Sequence, residues 1–201
     1  MRVIVLTGLA GVGKTALLSE LAAVGEQVLD LEGLAAHRGS SFGRIGIETP
    51  QPTQPEFRAL IQASWPTFDR DRPVWIEDEG PHVGRLWVPT EITSAIGTAT
   101  TVRVELPLGD RVARLTALFG RADPADLIDA TQRIRRRLGN GRADRAISHF
   151  HARRPEAAIR VLLEYFDEGY ARRAERDARR PVPHHDISAV ARRVIDRGGR
   201  A

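Results

Sequence analysis

Near its start the chain carries Gly8-Leu9-Ala10-Gly11-Val12-Gly13-Lys14-Thr15, the residue types and spacing of a phosphate cradle, G-x-x-x-x-G-K-T. Gly8, Gly11 and Gly13 permit backbone conformations strained for other residues, so successive N–H groups, with Val12 and Ala16 in the same run, can turn inward around phosphate oxygens. A helix beginning near Lys14 adds its positive end. Lys14 then reaches the outer phosphates, and the Thr15 hydroxyl ligates Mg2+. Lys14 is also the only lysine among 30 basic residues. In a chain that uses arginine everywhere else, a compact ammonium here fits a nest closed to a planar guanidinium. The expected ligand is ATP, or another nucleotide or diphosphate, with Mg2+. With no second lysine, the Asn-Lys-x-Asp route to guanine specificity is excluded.

Carboxylates follow at two places. The apolar run Val74-Trp75-Ile76 leads into Glu77-Asp78-Glu79. An acid at the end of a strand beside the loop can hold magnesium. Asp78 is the favoured ligand, with Glu77 next, because strand register decides which side chain faces the site. Asp30 and Glu32 end an earlier apolar run, and their spacing of two puts both on one face of a strand. In a small-molecule kinase, the alternative function, either could accept the proton of an acceptor hydroxyl. His37, Arg38, Ser40 and Ser41 then place an imidazole, a guanidinium and two hydroxyls among glycines, groups suited to phosphate or RNA. Arg133, Arg136 and Arg137 form a basic helical face that either closes over phosphates or is solvated. His149, His151, His184 and His185 lack the spacing of a metal site.

The elements that must position these groups alternate. Val3-Ile4-Val5-Leu6-Thr7 reads as a buried central strand. A helix over 14–23, strands over 27–31, 73–78 and 101–106, and helices over 54–64 and 90–97 follow. This alternation predicts an α/β P-loop NTPase fold, a parallel sheet covered by helices on both faces. Beyond Leu108 the pattern turns helical, with Val112, Leu115, Leu118 and Phe119 on one stripe and Leu127, Ile128, Ile134 and Leu138 on another. Further helices are expected over 142–151, 155–179 and 187–197, with a short strand at 181–183. The expectation is one P-loop domain over 1–201, with a nucleotide-binding core at 1–110, a mainly helical basic part at 111–180 and a C-terminal strand and helix at 181–201. The Gly-, Ser- and Pro-rich stretch 33–55 is long for a connection inside a domain, which favours a functional loop.

Composition narrows the chemistry further. There is no cysteine, so the chain itself performs no thiol-based sulfur or selenium transfer. No apolar run is long enough to span a bilayer, so the protein is expected in the cytoplasm, away from membranes. Residues 1–110 carry 9 basic and 14 acidic groups and the remainder 21 and 12, net charges of −5 and +9. A basic C-terminal half suits a polyanion such as RNA, although a general arginine bias gives the same count.

With Asp30-Leu31-Glu32-Gly33-Leu34-Ala35 running into His37-Arg38-Gly39-Ser40-Ser41-Phe42-Gly43, the chain resembles the P-loop half of tRNA 2-selenouridine synthase. The similarity continues through Gln51-Pro52-Thr53-Gln54, Val74 to Glu79, Arg137-Leu138-Gly139 and Leu162 to Tyr170, and covers roughly residues 1 to 175. Enzymes of that family pair this domain with a rhodanese domain whose cysteine takes part in replacing sulfur by selenium at the wobble 2-thiouridine of tRNA. They use selenophosphate and can also attach a geranyl group from geranyl diphosphate. The resemblance thus implies tRNA as a partner and a stand-alone P-loop subunit that either works with a separate rhodanese-type protein or carries out only part of the reaction on tRNA. One departure stands out: where the family continues the acids with Ser-Arg-x-Ile-Gly, this chain has Gly80-Pro81-His82-Val83-Gly84, leaving His82 or Arg85 to replace the arginine.

Overall fold

The computed structural model describes residues 1–174 and the short strand Val182–Pro183. Strand β1 (Val3–Thr7) is buried along its whole length. Successive side chains of a strand point to opposite faces. Val3 and Val5 accordingly pack with Leu29, Phe57, Ile61, Ile76 and Ile92, whereas Ile4 and Leu6 pack with Leu17, Leu18, Leu21, Trp75 and Val104. A strand buried on both faces needs a continuous apolar run, which is what the sequence carries there.

Helix α1 (Lys14–Ala23) covers one face of the sheet. The chain returns through β2 (Gln27–Leu29) and the single turn α2 (Leu31–Leu34). Helix α3 (Gln54–Ser64) is started by a capping box in which Thr53 accepts from the Glu56 amide and the Glu56 carboxylate accepts from the Thr53 amide. Its Phe57 and Ile61, one turn apart, are buried against the other face of the sheet. Strand β3 (Val74–Glu77), a hairpin of β4 (His82–Val83) and β5 (Leu86–Trp87), helix α4 (Thr90–Thr98) and strand β6 (Thr100–Glu105) complete this half. Helices α5 (Leu108–Phe119), α6 (Pro124–Arg133), α7 (Arg135–Leu138), α8 (Asn140–His151) and α9 (Pro155–Ala174) follow, and β7 (Val182–Pro183) adds a last strand.

The five-stranded sheet has the order β2-β3-β1-β6-β7, and every neighbouring pair is parallel. The connection after β1 runs toward β2, while the chain after β3 crosses to β6 on the opposite side of β1. The carboxyl ends of β1 and β3 therefore flank a topological switch point, where open α/β sheets leave a crevice for ligands. The sheet, its helices on both faces and the helical C-terminal part agree with the α/β expectation.

Two sequence expectations change, and the long stretch after α2 proves to be packed in place. The strand predicted over 27–31 stops at Leu29, because Asp30 turns its carboxylate back to accept from the Gly33 amide at 2.8 Å and caps α2. Leu118 is 47% exposed, and the inward stripe of α5 includes Arg111, which is 3% exposed. The stretch 33–55 is built rather than loose: Phe42 and Ile45 sink into the apolar cluster of α6, α8 and α9, and Arg44 donates to the carbonyls of Ala36, Ile47 and Thr49. The strand at 181–183 is present as β7. The helix predicted over 155–179 is described to Ala174, and the helix over 187–197 and His184 and His185 lie outside the described residues. Among the described residues no helix is long and apolar enough to cross a membrane.

Candidate phosphate and cation site

The loop after β1 is shaped by its glycines. Gly8 passes so close to β6 that a Cβ would lie 2.5 Å from the Val104 carbonyl oxygen. Gly13, at φ 89° and ψ 34°, takes the left-handed conformation and starts α1. No side chain caps α1, so its first amides stay available at the loop. Lys14 folds back over the cradle, its Nζ donating to the Gly8 carbonyl at 3.3 Å. The Thr15 hydroxyl donates to Glu32 Oε2 at 3.1 Å.

That last bond leads into a cluster of carboxylates. Glu32, Glu77 and Glu79 each offer an oxygen, and these oxygens lie within 4.8 Å of one another. Three local features assemble them. Parallel pairing sets Glu77 of β3 beside Leu6, two residues before Gly8. The turn of α2 brings Glu32 toward Thr15. The Glu79 amide donates to the Glu77 carbonyl at 2.8 Å, a tight turn that returns Glu79 to the side of Glu77. Gly39 roofs the group: a Cβ there would stand 2.7 Å from Glu32 Oε1 and 3.0 Å from Glu79 Oε1.

Burial dominates the electrostatics. It pushes the Glu77 carboxyl up to about 8, with the Glu32 charge adding to the effect. Burial and then Glu79 raise Glu32 to about 7, and burial and then Glu77 raise Glu79 to about 7. Lys14 opposes the rise in all three. Glu77 Oε1 is buried with no hydrogen-bond partner. An orphaned buried carboxylate oxygen, two more carboxylates and a hydroxyl beside them are a donor set that fits a hard divalent cation such as Mg2+.

The fold brings Lys14, Thr15, Glu32 and Glu77 together and sets the other residues singled out by sequence elsewhere. Asp78 points away from the cluster, its Oδ2 accepting from the Thr7 hydroxyl at 2.8 Å, and Thr7 also meets the Tyr170 hydroxyl at 3.0 Å. Register thus places Glu77, and not the favoured Asp78, in the carboxylate cluster. Asp30 and Glu32 do not share a strand face, since Asp30 is spent on its cap. His37 is buried between Gly43 and Gly84, where burial and then the Arg44 charge hold its imidazole below the ordinary range. Arg38 donates to the Ile45 carbonyl, the Ser40 hydroxyl accepts from the Phe42 amide, and Ser41 donates to the Ala130 carbonyl. Arg133 donates to the Ser41 carbonyl from α6, and Arg137 is exposed on α7. These polar groups shape the loop that carries Gly39.

Three residues escaped the sequence reading. Glu79 was hidden because only the tight turn returns it to the cluster. Arg111 donates to the Ala10 carbonyl at 3.1 Å and makes a bidentate pair with Asp167 of α9 at 2.8 and 2.6 Å. Its signal was an arginine falling inside the apolar stripe of α5. Arg114 lays its guanidinium against Gly13.

The profile of the tRNA 2-selenouridine synthase AAA domain family matches residues 1–122. The chain belongs to this family. The matched stretch contains the whole phosphate loop, the three clustered glutamates, Arg111 and Arg114. Among relatives, the tRNA 2-selenouridine synthase of Verminephrobacter eiseniae is 31% identical over 93% of this chain and 58% of its own length. That of Nitrosomonas eutropha is 36% identical over 66% of this chain and 34% of its own, and that of Cupriavidus pinatubonensis is 30% identical over 98% and 61%. The chain thus spans about half the length of the curated relatives it matches. Among solved structures, a gluconokinase from Sinorhizobium meliloti aligns over 99% of this chain and 92% of its own at 14% identity, with a TM-score of 0.44.

Proposed function

We propose that the chain is the polyphosphate-binding part of a tRNA 2-selenouridine synthase-type system, acting in modification of the wobble uridine. The observation that carries the reading is the juxtaposition of an uncapped helix start, a glycine nest and Lys14 with three clustered carboxylates, those of Glu32 and Glu77 buried and that of Glu79 half-buried, bridged to the nest through Thr15. The amides and Lys14 suit the oxygens of ATP or of another nucleotide or diphosphate. Thr15, Glu77, Glu32 and Glu79 are the residues that would hold Mg2+, which when bound neutralises phosphate charge. Neither purine recognition nor a thiol is needed for this role. A tRNA substrate would meet the Gly39 loop and the basic helices, and a rhodanese-type domain would supply the sulfur chemistry of selenation, with geranylation as the related transfer from a diphosphate. In the phosphoryl-transfer alternative Glu32 is the remaining proton acceptor, because the Asp30 carboxylate is engaged in its cap.

Titration calorimetry with ATP or geranyl diphosphate, each with Mg2+, tests the reading. Binding of at least one by the wild type and its loss in Lys14→Ala are the expected results; no heat with either sinks it. Complex formation with tRNA should weaken steeply with salt, as phosphate contacts by arginine require.

A further inference from the structure

We infer that Arg114 is a ligand-binding residue of the phosphate site, closing it from the helical layer opposite Lys14 and gripping a chain of at least two phosphates. The inference rests on the phosphate-loop reading above and adds to it a residue on a different element, 100 positions downstream.

Helix α5 leaves the sheet after β6, the neighbour of β1, and so runs along the outside of the loop. A Cβ on Gly11 would lie 3.0 Å from Leu115 Cδ1 and 3.4 Å from Arg111 Cβ. A Cβ on Gly13 would lie 2.7 Å from Cζ, Nε and Nη2 of Arg114 alike. Equal approach to three atoms of the plane means that the guanidinium lies flat over Gly13, against the start of α1. Arg111, one turn earlier, has its charge answered by Asp167 and its position tied to the Ala10 carbonyl. Arg114 has neither: among the described residues no carboxylate and no carbonyl is bonded to it.

A half-buried guanidinium beside inward amides, the positive end of a helix and an ammonium is a gathering of like charge. Such an arrangement is stable in a working site when an anion completes it. Lys14 acts on the carboxylates, whereas the guanidinium of Arg114 lies against Gly13 of the loop. Arginine differs from lysine in presenting a rigid fork of donors, which matches two oxygens at once. Oxygens on adjacent phosphates offer that spacing, so a diphosphate or longer chain is the class of ligand selected. Arg111 acts differently, as a positioning residue that fixes α5, and with it Arg114, against the loop.

Calorimetry of the full chain tests this with ATP plus Mg2+ and inorganic pyrophosphate plus Mg2+ as probes. Removing a charge-assisted pair of hydrogen bonds should weaken both by about 10- to 100-fold in Arg114→Ala. Arg114→Lys, which keeps the charge and loses the fork, should recover only part of the affinity and guards against a folding defect in the alanine variant. Arg121→Ala, an exposed arginine just past α5, should bind as the wild type does. Wild-type affinity in Arg114→Ala, with binding lost in Lys14→Ala, overturns the role of Arg114 alone. Absence of binding by the wild type overturns the phosphate reading and this inference with it.

Discussion

Arg111 and Asp167 form a bidentate ion pair between α5 and α9, 56 residues apart in sequence, while the same guanidinium holds the Ala10 carbonyl of the phosphate loop. The arginine is 3% exposed and the carboxylate 29%, so the pair is the polar weld between the helical layer and the cradle.

Truncating the acid leaves a buried cation without its counter-charge. Asp167→Ala should therefore destabilise the chain by about 3 kcal/mol in urea unfolding, the lower end for breaking a buried pair because one side of it reaches solvent. Arg111→Met should cost less, since it removes the charge and keeps an apolar stem. A loss in the alanine variant no greater than in the methionine one would refute this account.

Register predicts which acid serves the cation. Glu77→Gln should weaken Mg2+-dependent binding of ATP by tenfold or more, whereas Asp78→Asn should leave it nearly unchanged, because an amide oxygen can still accept from Thr7. Equal effects of the two substitutions would show that Asp78 also faces the ligand.

The three raised carboxyls give a pH dependence with a definite sign. Their folded pKa values, about 7 to about 8, lie above the ordinary glutamate value, so between these limits the folded state binds more protons than the unfolded one. Stability of the metal-free protein should fall as pH rises from about 4.5 to about 8. Mg2+ competes with those protons, so its effect on the melting midpoint should be larger at pH 8 than at pH 6. Thermal melts across this range, with and without Mg2+, measure both; Glu77→Gln should flatten the metal-free profile.

Gly39 has φ +68°, and its Cα faces two carboxylates. Gly39→Ala should cost about 1 to 2 kcal/mol for the left-handed backbone. It should also weaken Mg2+-dependent binding, since the new methyl enters the space of Glu32 and Glu79. Unchanged metal dependence in a folded Gly39→Ala protein would remove the loop from the site.

Much of this arrangement was legible in the chain alone, and for identifiable reasons. A phosphate loop is local: its glycines, lysine and threonine lie within eight consecutive positions, so spacing in sequence is nearly spacing in space. The strand β1 announced itself as an unbroken apolar run because both its faces are covered, and the alternation of such runs with helical periods implied a parallel sheet. The tertiary structure decided what depends on register and on returns of the chain. A shift of one residue along β3 exchanges Glu77 for Asp78, and a single cap at Asp30 converts a strand end into the turn that delivers Glu32. Arg111 and Arg114 lie about a hundred residues from the loop they contact. Arg111 shows itself locally only as a cation inside the apolar stripe of α5, and Arg114 not at all; the pairing of β6 with β1, a consequence of strand order, is what sets α5 against the loop.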